Sequence, residues 1–105
     1  MITAIVRFPL PKGTNLEDAK AMFEKSVPTY KAAPGLVRKY YLFGADCTGG
    51  GVYLWESREA AERQYSADWR NMIQEKFGTA PEISFYETPV IVDTEGAVRA
   101  LPSCR

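Results

Sequence analysis

Residues 50–61 read Gly50-Gly51-Val52-Tyr53-Leu54-Trp55-Glu56-Ser57-Arg58-Glu59-Ala60-Ala61, and pass from a strand pattern to a helix pattern within one residue. Val52, Tyr53, Leu54 and Trp55 are the β-branched, aromatic and aliphatic types that favour strands. Ser57 is a good helix N-cap, and Glu59 falls in the electropositive first turn behind it. Strand alternation sends the rings of Tyr53 and Trp55 to one face. Two large rings side by side are either core filling or the wall of a pocket for a flat ligand.

The flanking sequence completes the architecture. Residues 2–8 (ITAIVRF) form a first strand, closed by Pro9 and Pro11. Ile2, Ala4, Val6 and Phe8 share one face and Ile5 lies on the other, so both faces of this strand are expected to be covered. Thr14-Asn15-Leu16-Glu17 fits a capping box with Thr14 as the cap. Leu16, Ala19, Phe23, Val27 and Tyr30 then recur at helical spacing. Pro28 is expected to kink or end that helix, because it lacks an amide. Residues 36–43 (LVRKYYLF) make a second strand, residues 44–51 (GADCTGGG) a glycine-rich turn, and residues 52–56 a third strand. Ala60, Ala61 and Tyr65 mark a short helix. A second helical segment carries Trp69, Met72, Ile73 and Phe77 and stops at Gly78. Residues 83–92 (ISFYETPVIV) form a fourth strand, which Pro89 assigns to an edge or a bulge. The order is β-α-β-β-α-β, an α+β ferredoxin-like protomer with a four-stranded antiparallel sheet and both helices on one face. Residues 1–94 constitute the domain and residues 95–105 a tail or partner-wrapping arm. The second sheet face is too apolar for water and predicts a homodimer with two sheets stacked.

Composition narrows the chemistry. The 105 residues carry 13 basic and 13 acidic side chains, so nucleic acid and anionic membrane are not expected partners. No apolar run approaches the roughly 18 residues of a membrane span, and no secretory leader is visible, which makes the cytoplasm the expected location. Cys47 and Cys104 read as free thiols. There is no histidine. That removes Ser-His-Asp and Cys-His nucleophile systems, His-ligated zinc and iron, and a proximal haem ligand. No CxxC, P-loop or dinucleotide fingerprint is present. No metal or cofactor is therefore expected.

Pro34-Gly35-Leu36 followed by Lys39-Tyr40-Tyr41-Leu42, then residues 50–57, then Pro81-Glu82-Ile83 running to Thr88-Pro89-Val90-Ile91-Val92, resemble the YdhR-like monooxygenases. These belong to the wider antibiotic-biosynthesis-monooxygenase group of dimeric α/β barrels, and the resemblance covers roughly residues 1–94. It implies a barrel-like dimer with a pocket between helices and sheet in each protomer. Members of the wider group oxygenate phenolic or quinol substrates without metal or flavin, degrade haem, or act as isomerases. The resemblance places Trp55 where a strand-end Trp lines the oxygenase pocket. Gln64 and Tyr65 stand where many members carry a His, a departure that argues against haem chemistry.

The expected function is cofactor-independent monooxygenation of a small aromatic or quinol-like substrate. The alternatives are a non-redox isomerase or dehydratase on the same scaffold, and a non-catalytic, ligand-binding stress-response dimer. Tyr53, Trp55, Trp69 and Arg38 are candidate substrate-binding residues, and Lys39, Tyr41 and Tyr65 candidate catalytic ones. A cation beside a bound phenol would stabilise its phenolate. Alternation puts Lys39 with Tyr41 on one face and Arg38 with Tyr40 on the other, and leaves open which pair joins Trp55. Glu56, Asp68 and Glu87 are weaker candidates for a base. Glu56 alternates away from Trp55, and Asp68 reads as a helix-start residue.

Overall fold

The computed structural model describes residues 1–94 and 99–100. Strands β1 (Ile2–Pro9), β2 (Leu36–Phe43), β3 (Thr48–Trp55) and β4 (Glu82–Glu87) form an antiparallel sheet in the order β2-β3-β1-β4. Helix α1 (Leu16–Lys31) connects β1 to β2, and helices α2 (Arg58–Gln64) and α3 (Ala67–Phe77) connect β3 to β4. This is the ferredoxin-like order. A two-residue ladder joins β5 (Val90–Ile91) to β6 (Arg99–Ala100). The expected tail thus pairs back in part. Its residues 95–98 and 101–105, with Cys104, lie outside the described residues.

The core sits between the helices and one sheet face. On β1, Ile2, Ala4, Val6 and Phe8 are buried, while Thr3, Ile5 and Arg7 point the other way. The β1–β3 register sets Ile2 opposite Trp55, Ala4 opposite Tyr53 and Val6 opposite Gly51. Ala4 is the small residue facing the Tyr53 ring, and Gly51 leaves room for the Lys39 stem. Ala19 of α1, Ala60 and Ala61 of α2, and Trp69 and Ile73 of α3 close this core from above.

Four local expectations need correction. The cap of α1 is Asn15, whose side chain accepts from the Asp18 amide at 2.8 Å while Asp18 reaches back to the Asn15 amide. The Thr14 hydroxyl instead donates to the Pro11 carbonyl at 2.6 Å, holding the turn before the helix. Helix α1 also continues through Pro28 to Lys31. Pro28 loses one amide, but its own carbonyl still accepts from Ala32 at 3.3 Å, so the last turn is kept.

The glycine run is a strand, not a turn. The β2–β3 connection is only residues 44–47, closed by Gly44 N–H to the Thr48 carbonyl at 2.7 Å and by Cys47 at φ 63°. Gly50 lies within β3 with φ 152°, and a Cβ there would overlap the Val6 carbonyl oxygen. The position demands glycine because the β1 backbone occupies the space of a side chain. Likewise, β4 ends at Glu87, and Thr88-Pro89 separates it from β5.

Gly50→Ala is expected to destabilise the fold by about 2–4 kcal/mol, the range for a strained backbone clash that forces strands apart. Urea unfolding measures it. An unchanged midpoint would show that β1 and β3 do not approach as described.

Candidate active site

Four rings converge over the sheet. Tyr53 and Trp55 stack at 5.9 Å with an interplanar angle of 6°, and Tyr65 stands edge-on to both at 5.4 and 5.7 Å. Trp69 meets Tyr65 at 4.9 Å. The chain achieves this by breaking its second crossover helix. Tyr65 leaves helical geometry with ψ 48°, and Ser66 caps α3 by accepting from the Trp69 amide at 3.2 Å. Tyr65 and Trp69 thereby leave different helix segments yet point at one strand.

The polar tips of these rings are paired. The Trp55 indole donates to the Tyr65 hydroxyl at 3.1 Å, and the Trp69 indole donates to the Tyr30 hydroxyl at 3.1 Å. No buried side-chain nitrogen or oxygen among the described residues lacks a partner. Burial pushes the Tyr53 and Tyr65 hydroxyls far above the ordinary tyrosine range, so both stay protonated.

The β2–β3 register decides which cation joins the rings. Lys39 lies opposite Tyr53 and Tyr41 opposite Gly51, on the helix side. The Lys39 ammonium sits 3.3 Å from the Tyr30 ring centroid, 3.9 Å from Tyr41 and 4.5 Å from Tyr53. Arg38 alternates to the other face, where its guanidinium donates to the Tyr40 hydroxyl at 3.2 Å. Arg38 is therefore not brought to the ring cluster.

A cavity of about 70 Å³ opens beside this lysine, between α1, α3 and the sheet. Tyr30, Lys39, Tyr41, Tyr53 and Trp69 form its polar-tipped aromatic side, and Phe8, Met22, Phe23, Met72, Ile73 and Phe77 its apolar side. Ser26 and Lys76 complete the polar lining, and among the described residues no carboxylate belongs to it. Trp55, with no exposed surface, and Tyr65, 3% exposed, sit behind Tyr53 as packing that fixes its ring, not as wall. Tyr30 is the wall residue that sequence reading placed only in a helical stripe. Its position on the sheet-facing side of α1, one turn after Ser26, was the available signal. Glu56 is exposed beyond the end of β3, Asp68 lies in the first turn of α3, and Glu87 is exposed at the end of β4. A larger, open groove of about 450 Å³ lies at the sheet end, but its Arg7 and Glu82 pair with each other at 2.8 Å. Among the described residues, no cluster of three His, Cys, Asp or Glu side chains could hold a metal ion.

Burial lowers the Lys39 amine to a pKa of about 7. Among the described residues no carboxylate pairs with it. The three tyrosine faces favour its charged form without satisfying it as a carboxylate would. The amine is thus poised to gain or lose a proton near neutral pH.

Two outcomes test this geometry. Tyr65→Phe strands the buried Trp55 indole and is expected to cost about 1–3 kcal/mol in urea unfolding, part of which Trp55→Phe in the same chain restores. The second concerns pH. A folded value of about 7 against an ordinary 10.5 means that the unfolded chain binds more protons between these limits. The cost of burying the charge is full below the folded value, and stability rises with pH from there toward 10.5. Lys39→Met should flatten this rise, and an identical pH slope in both proteins would contradict it.

No family model and no curated protein matches the sequence. Solved structures do. A protein of Bordetella bronchiseptica, provisionally named an antibiotic biosynthesis monooxygenase, superposes with TM-score 0.63 at 21% identity over 83% of this chain and 95% of its own. SnoaB, a cofactor-independent oxygenase of Streptomyces nogalater, gives 0.61 at 15% identity over 87% and 95%. The ActVA-Orf6 monooxygenase of Streptomyces coelicolor, solved with nanaomycin D, gives 0.60 at 18% identity over 89% and 92%. No helix among the described residues is long and apolar enough to cross a membrane. At these identities the likeness is one of architecture, and the chain has the fold of the antibiotic-biosynthesis-monooxygenase-like α/β proteins.

Proposed function

We propose that this protein is a cofactor-independent monooxygenase of small phenolic or quinol-like substrates, within the YdhR-like branch. The observation that carries the reading is the cavity with five aromatic or lysine side chains in its lining, a half-buried amine and, among the described residues, no carboxylate. A flat ring would stack between Tyr53 and Trp69 while its oxygen points at Lys39. In such a reaction a deprotonated phenol gives an electron to O2, and the resulting radicals combine at a ring carbon. Loss of water then leaves a carbonyl. A phenol plus O2 becomes a quinone plus water, with every electron drawn from the substrate. The protein supplies orientation, exclusion of water and a charge for the oxyanion.

A ligand ring would need the cavity to widen, which limits the substrate to a single ring. A cavity of roughly 150 Å³ takes benzene, about twice the volume present. Met22 and Met72 line it, and the flexible Met72 is 45% exposed, so rotation there can open the mouth. Names given to structural relatives, among them a cofactor-independent oxygenase and a monooxygenase bound to nanaomycin D, support the reaction class.

We also propose that the active form is a homodimer. Opposite the helices, the sheet presents Ile5, Tyr40, Leu42, Val52, Leu54 and Tyr86, with Tyr40 and Tyr86 more than half exposed. Stacking this face on a second copy would bury it. We also propose a cytoplasmic location, which suits Cys47, a free thiol among the described residues.

Oxygen uptake with a panel of phenols and hydroquinones tests the reaction. Wild type should consume O2 with quinone formation, Trp69→Ala should lose at least about tenfold in kcat/KM, equivalent to 1.4 kcal/mol of transition-state binding, and Met72→Ala should accept bulkier rings. Product formed equally well without oxygen would favour the isomerase or dehydratase reading, which the same amine could serve. Tight ligand retention without any turnover would favour the binding dimer. Equilibrium sedimentation at micromolar concentration should give a dimer, and a monomer would remove that proposal.

A further inference from the structure

We propose that Lys39 is the proton acceptor of this cavity, taking the phenolic proton of a single-ring substrate and becoming the ammonium that holds the resulting phenolate. The inference rests on the reading of the cavity as a phenol site, and goes beyond it by assigning the base.

Three observations meet at this residue. First, Lys39 and Lys76 are the cationic side chains of the cavity, and among the described residues no Asp or Glu lines it. A base is needed, the chain has no imidazole, and no carboxylate among the described residues is there to serve. The tyrosine hydroxyls of Tyr53 and Tyr41 are held protonated by burial, and Tyr41 is also tied to Ser26 at 2.7 Å. Second, the amine is caged by ring faces on three sides. These faces cannot take its proton, but they stabilise the ammonium once it forms. Third, Gly51 leaves the space through which the amine arrives. A Cβ at that position would stand 3.1 Å from Lys39 Cε and 3.0 Å from the Tyr40 carbonyl oxygen.

Groups from each neighbouring element face Lys39. Tyr30 faces it from α1, Tyr41 from its own strand, Tyr53 from β3, and Lys76 of α3 shares the cavity. Lys31 and Arg38 border an outer groove that Lys39 and Tyr30 also line. Among the described residues none of these is a carboxylate, so burial dominates and the amine is available as a base. The step is balanced within the pair: the phenol O–H breaks, a new N–H forms on Nζ, and the phenolate stays beside the ammonium. No oxidant enters until O2 meets the phenolate.

Binding of 3-nitrophenol without turnover provides the test, because its phenol and phenolate forms absorb at different wavelengths. In weak buffer about half a unit above the Lys39 value of about 7, free dye is mostly phenol and Lys39 mostly amine. The expected result is bound dye with a phenolate-to-phenol ratio raised about tenfold over free dye, one unit of apparent pKa, and no net proton released to the buffer. Lys39→Arg, which keeps the charge but cannot serve as a base at this pH, should bind phenolate with one proton released per dye. Lys39→Met should bind the dye as neutral phenol, with circular dichroism verifying that it is folded. Dye bound as neutral phenol by wild type overturns the proton-acceptor role and leaves the aromatic site standing. Phenolate bound with a full proton released by wild type also overturns it, because Lys39 was then already an ammonium. Failure to bind any single-ring phenol overturns both this inference and the site reading beneath it.

Discussion

The antiparallel register of β1 against β3 is the constraint on which the rest depends. It sets Ile2, Ala4 and Val6 against Trp55, Tyr53 and Gly51. Aliphatic residues of β1 back the two rings of β3, and the rings lie flat against each other. Had the pairing slipped by one residue, Tyr53 and Trp55 would turn to the opposite face, and the helices would cover Leu54 and Val52 instead. Everything above the sheet follows from that choice. The break at Tyr65 brings a hydroxyl to the Trp55 indole, and α3 delivers Trp69 to the Tyr30 hydroxyl.

The same register divides labour among the rings. Trp55 and Tyr65 are fully or almost fully buried and mutually hydrogen-bonded, and they immobilise Tyr53 from behind. Tyr53, Tyr30, Tyr41 and Trp69 then face open space. A rigid back row keeps the front row in place for a ligand, so the core and the site are two layers of one aromatic stack. The adaptable methionine side chains, Met22 and Met72, line the same chamber.

Much of the fold was legible from sequence periodicity. Alternation in residues 52–55 placed Tyr53 and Trp55 on one face, and the period-3.6 stripes found the helices. Two things were not legible. Glycine weakens strands on average, so Gly49-Gly50-Gly51 read as a turn. In the fold these residues are strand because the neighbouring strand and side chains occupy the space of their side chains, a tertiary fact. The helix cap moved from Thr14 to Asn15, since both residue types can cap and only the following turn decides. The site was legible in part. Alternation separated Lys39 from Arg38 but could not say which faces the rings. That depends on the register with β3 and on the irregularity between Leu36 and Arg38 opposite Trp55. Trp55 was expected at the pocket wall and is instead one ring behind it.

Gly51 has a consequence for how such chains diversify. It is the floor under the Lys39 stem, so position 51 and position 39 cannot vary independently. A side chain introduced at 51 would press on the Lys39 stem and on the Tyr53 ring alike, each 3.1 Å from its Cβ. Lys39 and Gly51, twelve positions apart in sequence and diagonal neighbours across β2 and β3, are thus coupled: the missing side chain of one is the room for the stem of the other.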